Sequence, residues 1–156
     1  MKQKKHILKL EIEHDYTLIG ITSVLEDYHL AFRINKLFNI ALRRNKKVLN
    51  FAKNKAAFSI YDFENSKTFD FWSLLTNKQI IEEKITKDAF NLFDSLYSTY
   101  TLIPEKKEVD YFLKIEGEYT PQKIEKIIQN IQTIDGVQVC YRINPLLLKS
   151  KTNLIY

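Results

Sequence analysis

Residues 103–145 have the sequence IPEKKEVDYFLKIEGEYTPQKIEKIIQNIQTIDGVQVCYRINP, and this stretch decides the fold. From Val109 to Glu116, apolar and polar residues alternate, which is the pattern of a strand with one face on a core. Thr120 and Pro121 then suit the N-cap and the first position of a helix. That helix carries one apolar stripe of isoleucines: Ile124, Ile127, Ile128, Ile131 and Ile134.

A second strand follows the helix after a turn at Asp135-Gly136, where glycine adopts a left-handed conformation at little cost. Residues 137–143 again alternate in apolar and polar character. Two strands joined through a helix are expected to run parallel with a right-handed connection. We therefore predict a βαβ unit with a helix over about 120–134, whose isoleucines pack on the sheet.

The N-terminal half indicates another strand and helix. Alternation predicts a first strand at residues 6–13, and the apolar run of residues 16–22 predicts a strand that is buried on both faces. Gly20 within this run suggests a bulge or a close approach of another part of the backbone. Ser23 and Glu26 match a capping box, so a helix is predicted over about 24–38.

The middle of the chain, residues 40–75, has the pattern of a meander of short strands separated by polar turns. Residues 77–95 fit either a short helix or an irregular surface segment, and residues 97–103 fit a strand that Pro104 ends. The whole pattern predicts an α+β fold, with a mostly antiparallel sheet, two packed helices and a C-terminal βαβ unit. A ferredoxin-like arrangement is one form that such a fold takes.

Composition predicts a single globular domain over residues 1–156. Hydrophobic residues make up 45% of the chain, and three Gly and three Pro leave no disordered linker. The one cysteine, Cys140, permits no internal disulfide and favours a reducing compartment. Uncharged runs are about half as long as a membrane helix, and charges interrupt the N-terminal segment too early for a signal peptide. We therefore expect a soluble, cytoplasmic protein without a membrane partner.

Charge is distributed unevenly along the chain. Residues 1–55 carry twelve Lys and Arg against five Asp and Glu, a net charge of +7, whereas residues 56–156 carry twelve against fourteen, a net charge of −2. No acidic residue occurs between Asp27 and Asp62. A basic block with aromatic residues nearby is typical of a site for single-stranded nucleic acid. The candidate contacts are Arg33, Arg43, Arg44, Lys46, Lys47, Lys53, Lys55, Phe51 and Tyr61.

This basic stretch, residues 33–61, also has a simpler interpretation. The chain has twenty lysines against four arginines, so the stretch follows from a general richness in lysine. It contains no aromatic motif of the kind that RNA-recognition sheets use. RNA binding by this stretch is therefore an alternative and not the first hypothesis.

Residues that carry catalytic chemistry are sparse. His6, His14 and His29 are scattered, and the sequence has neither the ligand spacing of a metal site nor a glycine-rich phosphate loop. Cys140 is expected to be a packed thiol on a central strand, opposite the inward side of that strand. Asp110 lies opposite an apolar strand face, so it needs a partner if both faces are covered, and Arg142 is the candidate. We predict no enzymatic activity, no cofactor and no metal.

The run from Ile103 to Tyr111 matches, letter for letter, the signature of the bacterial IPExxxVDY family. The matching residues are Ile103, Pro104, Glu105, Val109, Asp110 and Tyr111. Residues 18–21 and Asp27-Tyr28 also resemble the N-terminal pattern of that family, so the resemblance covers most of the chain. It implies no established activity, cofactor or catalytic residue.

Two classes of function remain ahead of the others. In the first, the protein is a non-enzymatic module that binds itself or another protein through an exposed strand edge, or through apolar surface near Trp72 and Leu146 to Leu148. In the second, it binds RNA through residues 33–61. A third, regulation by a small molecule, follows from analogy with the fold alone.

Overall fold

The computed structural model describes residues 15–51, 56–84 and 95–156. These residues include two α-helices, α1 (Asp27–Phe38) and α2 (Pro121–Gln132), and three 3-10 turns at Pro104–Lys106, Pro145–Leu147 and Lys151–Leu154. The strands are β1 (Thr17–Ser23), β2 (Arg43–Arg44), β3 (Leu49–Phe51), β4 (Ala56–Phe58), β5 (Ile60–Asn65), β6 (Asp70–Thr76), β7 (Lys78–Lys84), β8 (Ser95–Thr101), β9 (Tyr111–Glu116) and β10 (Val137–Ile143).

Six strands form the main sheet, in the order β10-β1-β9-β6-β5-β2, and every neighbouring pair is antiparallel. The pairs β3–β4 and β7–β8 form separate two-stranded sheets. The predicted α+β fold with a mostly antiparallel sheet and two helices is confirmed. Within the main sheet, the succession β1-α1-β6-β9-α2-β10 follows the βαββαβ pattern of ferredoxin-like folds, with β5 and β2 added at one side.

The strands β9 and β10 run in the same direction, as predicted, but they are not neighbours. Strand β1 lies between them and is antiparallel to both, so that Ile19 is opposite Leu113 on one side and Arg142 on the other. The C-terminal unit is therefore a split βαβ unit, in which a strand from the N-terminal half fills the gap.

Both helices cover one face of this sheet. All five isoleucines of the predicted stripe, Ile124, Ile127, Ile128, Ile131 and Ile134, are buried, which confirms that the stripe packs on the sheet. They belong to a cluster, called here the helix-side core, that also contains Ile34 of α1 and Leu113 of β9. Thr120 Oγ1 accepts a hydrogen bond from Lys123 N at 3.3 Å, so the predicted N-cap is confirmed.

The opposite face of the sheet is covered by a second cluster, called here the far-side core. It contains Phe112 of β9, Phe58 of β4, and Leu148 and Leu154 from the segment after β10. Strand β9 is thus buried on both faces, because Phe112 and the adjacent Leu113 enter different cores. At Gly20 of β1 the structure differs from the prediction, because the nearest neighbour is a side chain and not backbone: a Cβ atom there would lie 2.6 Å from Ile143 Cδ1. The irregularity in strand register lies between Thr22 and Ser23.

Helix α1 begins at Asp27, later than the predicted start near residue 24, and the predicted capping box is wrong. Glu26 occupies the N-cap position without a side-chain hydrogen bond to the helix. Ser23 Oγ instead accepts from Leu25 N at 3.1 Å and donates to Gly136 O at 2.8 Å. The hydroxyl therefore joins the end of β1 to the turn before β10.

The remaining predictions for individual strands have different outcomes. The predicted strand at residues 6–13 lies outside the described residues. Strand β7 occupies Lys78–Lys84, so the prediction of a short helix or an irregular segment there is wrong. Strand β8 confirms the strand expected near residues 97–103, although it ends at Thr101. Neither of the helices in the described part of the chain has the length and apolar character needed to cross a bilayer.

Candidate functional site

The signature residues of the sequence form a tight loop between β8 and β9, and Asn77 fills its centre. The Asn77 side chain is fully buried; its Nδ2 donates to Lys106 O at 2.9 Å and to Val109 O at 2.8 Å, and its Oδ1 accepts from Ile103 N at 2.9 Å. Ile103 and Val109 enter the far-side core, and Pro104 begins a 3-10 turn between them. The apolar part of the signature therefore anchors this loop.

Glu105 of the signature holds the segment that follows β10. Its carboxylate accepts from Ser150 N at 2.6 Å and from Ser150 Oγ at 3.0 Å. Partial burial raises the pKa of Glu105, the hydrogen bonds from Ser150 and its neighbours lower it, and the net effect is a lowered pKa. Asn153 Nδ2 adds a bond to Leu102 O at 2.8 Å. The C-terminal segment is thus tied to the signature loop.

Asp110, which precedes β9, joins three parts of the chain. Its Oδ2 accepts from Ser23 N at 2.9 Å at the end of β1, and its Oδ1 lies 2.7 Å from Lys78 Nζ of β7. The prediction that Asp110 needs a partner is right, but the predicted partner, Arg142, is wrong. Arg142 lies on the edge strand β10 and is exposed, whereas Lys78 comes from the segment that the sequence left ambiguous.

A polar cleft of about 570 Å³ lies around Asp110. Besides Asp110 and Lys78, it is lined by Asp27 at the start of α1, Arg44 of β2 and Tyr111 of β9. The Tyr111 hydroxyl donates to Leu25 O at 2.6 Å, and its pKa is raised by burial first and then by Asp27, Glu26 and Asp110. These charged and hydroxyl groups bond to one another or to the backbone, so the cleft forms a junction between elements.

The described part of the basic stretch includes β2, which forms the edge of the main sheet farthest from β10. Arg33 of α1 is exposed, as are Arg43 and Arg44 on the edge strand β2, and Lys46 and Lys47 that follow it. Phe51 ends β3, and Lys53 and Lys55 lie outside the described residues.

The prediction that Tyr61 contacts nucleic acid is wrong. Only 6% of it is exposed, because it packs in the helix-side core, so it cannot stack on a base. Arg44 lies across from it in the β2–β5 pair and donates to Ser59 Oγ at 3.3 Å. Arg43, Arg44, Lys46 and Lys47, which are neighbours in the sequence, are all exposed, but Tyr61 provides no ring on which a base could stack.

The prediction of an exposed apolar surface at Trp72 is also wrong. Trp72 is only 4% exposed, since Phe38 and Tyr119 pack against it, whereas Leu146 and Leu147 are strongly exposed and Leu148 is buried. The exposed apolar surface therefore includes the first two leucines after β10, and Trp72 belongs to the interior.

Strand β10 carries the clearest binding geometry. It pairs with β1 along one side, and no other described strand pairs with its second side. The prediction that Cys140 lies on a central strand, opposite the inward side of that strand, is wrong in both parts. Cys140 faces the helix-side core, whereas Val139 beside it is 48% exposed. Alternation gives the period of a strand but does not tell which of its faces is covered.

Cys140 itself is a packed thiol, as expected. Burial raises its pKa from 9.0 to about 12, so the reactive thiolate is disfavoured. His29 is exposed on α1, and His6 and His14 lie outside the described residues. Within residues 15–51, 56–84 and 95–156, no three His, Cys, Asp or Glu side chains gather in a way that holds a metal ion.

Comparison with known proteins adds no relative: no protein-family model matches the chain, and neither a curated protein nor a solved structure is similar to it. Membership of the IPExxxVDY family stays a prediction from residues 103–111 and the N-terminal pattern.

Proposed function

We propose that this protein is a non-enzymatic module that associates with a second copy of itself by antiparallel pairing of β10 with β10 of that copy. The supporting observation is that β10, a seven-residue strand, forms one edge of the main sheet and has no strand on its outer side within the described residues. An unpaired edge presents a row of backbone N–H and C=O groups that another strand can satisfy.

The sequence of β10 supports its use as a binding edge. Natural proteins protect free edges with lysines, prolines or inward-pointing charges. Between Val137 and Ile143 the only charged residue is Arg142, and no lysine or proline is present. The other edge of the sheet, β2, contains two residues and both are arginines, so it lacks this property.

Pairing of β10 with its own copy is self-complementary. If the two-fold axis passes at Cys140, Val139 lies opposite Tyr141 of the second copy, and Gln138 lies opposite Arg142 of the second copy. The first pair joins two partly exposed apolar side chains on the far side of the sheet, and the second avoids placing arginine against arginine. Exposed Leu146 and Leu147 follow the strand and add apolar area at its end.

RNA binding by the basic stretch has less support. Its described arginines and lysines are exposed, but Tyr61 is buried, and an exposed ring is what sheet-based single-strand binders use for stacking. If the proposed pairing is wrong and RNA is the partner, binding of a single-stranded RNA will weaken steeply between low and moderate salt.

Light scattering coupled to size exclusion tests the proposal over a range of protein concentrations. We expect a mass of twice 18.5 kDa for the wild type at high concentration, falling toward 18.5 kDa on dilution. Val139→Lys places a charge on the edge and is expected to give the monomer mass at every concentration.

Ile80→Lys is the matched control, because Ile80 is an exposed branched residue, 66% accessible, on the β7–β8 hairpin. It should leave the dimer mass unchanged, and circular dichroism should show that both variants are folded. A wild type that stays monomeric throughout, or a Val139→Lys variant that dimerises like the wild type, would disprove pairing through β10.

A further inference from the structure

We propose that the cavity between the end of α1, the β5–β6 hairpin and the start of α2 binds a small aromatic carboxylate. The cavity has a volume of about 400 Å³, near the lower end of the range for ligand pockets. It lies toward the β5 side of the sheet and not at the β10 edge, so this proposal does not depend on self-association.

Aromatic rings form the walls of this cavity. Trp72 of β6 lies at its floor, with the Phe38 ring centroid 5.3 Å from the Trp72 centroid and the Tyr119 ring centroid at 6.3 Å. Phe63 of β5 and Ile127 of α2 complete the apolar lining. A flat ring that enters this space meets ring faces and edges, which favour aromatic ligands over branched aliphatic ones.

The polar atoms at the floor are already engaged with one another. Trp72 Nε1 donates to the Tyr119 hydroxyl at 3.0 Å, so the indole has no free donor to offer. Tyr119 also interacts with the Asp70 carboxylate, which accepts from Thr68 Oγ1 at 2.5 Å. The interior therefore presents mainly apolar surface to a ligand, and a charged group on that ligand must be bound at the rim.

Two lysines supply the charge at the rim. Lys123 and Lys126 are one turn apart on α2, both line the cavity, and neither forms an ion pair with another described residue. Asp70 is the only acidic residue in the lining, and it is engaged as described above. Two free ammonium groups above an aromatic pocket suit a ligand with a ring at one end and a carboxylate at the other.

The chain provides its own reporter, because Trp72 is the only tryptophan. We expect benzoate, titrated to about 10 mM, to change the tryptophan emission in a saturable manner. Benzamide retains the ring without the charge, and cyclohexanecarboxylate retains the charge without the aromatic ring. Each is expected to bind at least about tenfold more weakly than benzoate, since each lacks one of the two recognised groups.

Substitution of the rim lysines tests their role separately. Lys123→Gln with Lys126→Gln should weaken benzoate binding by about tenfold or more and leave benzamide binding unchanged. The matched control is Lys107→Gln with Lys149→Gln, two exposed lysines that do not line the cavity, and it should bind benzoate like the wild type.

Any of three results would overturn the proposal: no saturable change with benzoate, equal binding of benzoate and benzamide, or unchanged affinity in the Lys123 and Lys126 double variant. Because the charge and ring controls use the same folded protein, a failure cannot be assigned to misfolding. The dimer measurement with Val139→Lys is independent, so failure of one proposal leaves the other standing.

Discussion

Lys78 Nζ lies 2.7 Å from Asp110 Oδ1, and this ion pair joins the β7–β8 hairpin to the residue that directly precedes the central strand β9. The second oxygen of Asp110 accepts from Ser23 N, so one carboxylate holds the ends of three strands together. An acidic residue of the sequence signature therefore has a structural explanation that requires no ligand.

Asp110→Ala should destabilise the protein more than Lys78→Met. The first change leaves the part-buried Ser23 N–H without its acceptor, which costs about 1–3 kcal/mol. The second removes only a partly exposed ion pair, which costs less than about 1 kcal/mol. Urea unfolding monitored by Trp72 fluorescence gives both values, and equal effects of the two substitutions would contradict this division of roles.

Asn77→Asp should be one of the most damaging single substitutions in the chain. The Asn77 amide nitrogen donates to two carbonyl oxygens inside the signature loop, and an aspartate would place its own oxygen there instead. Loss of both donors in a fully buried position costs at least about 2–3 kcal/mol. Asn130→Asp, at an exposed position of α2, is the control and should shift the urea midpoint little.

Gly20 and Ile143 should show energetic coupling in a double-mutant cycle. A Cβ at position 20 would lie 2.6 Å from Ile143 Cδ1, so Gly20→Ala is expected to cost about 1–3 kcal/mol. Ile143→Val removes that methyl group and should cost about 0.5–1.5 kcal/mol alone. The double variant should lose less stability than the sum of the two. Strict additivity would show that the steric contact is not the cause.

The free energy of unfolding should fall at alkaline pH, where the Cys140 thiol and the Tyr16 hydroxyl ionise. Burial raises the pKa of Cys140 to about 12, and burial followed by the charge of Glu116 raises that of Tyr16 to about 12. Both folded-state values exceed the ordinary values of 9.0 and 10.0, so their contribution is full below about pH 9 and is lost as the pH rises toward 12.

Melting temperatures measured between about pH 7 and pH 11 should therefore decline above pH 9, and Cys140→Ala should make that decline shallower. Because Cys140 is the only cysteine, its alkylation is also a clean probe. The native protein should react slowly at about pH 8 and rapidly in urea. Fast alkylation of the native protein would contradict the burial of the thiol.

The sequence predicted those features of the fold that depend on residues close together in the chain, and it missed those that depend on distant segments. The buried isoleucines of α2 and the Thr120 cap depend on residues a few positions apart, so the sequence predicts them, whereas the side chain that meets Gly20 comes from the distant Ile143. The insertion of β1 between β9 and β10 depends on pairings between distant segments, which no local pattern records. The same limit explains the missed roles of Asn77 and Lys78.

The candidate site was less predictable than the fold. Exposed positions in the basic stretch followed from charge, but the burial of Tyr61 depends on helices that cover its face of the sheet. The exposure of Val139 likewise depends on which strand ends the sheet. The cavity at Trp72 is built from four separate segments, so its residues carry no common spacing in the chain.

The central place of β1 in the sheet also determines when the protein can fold during synthesis. Ile19 is made more than ninety residues before either of its two cross-strand neighbours, Leu113 and Arg142. At roughly 5–20 residues per second, this apolar strand waits several seconds for its partners. Over that interval the backbone groups of Thr17–Ser23 have neither of their two partner strands and are open to pairing with another chain.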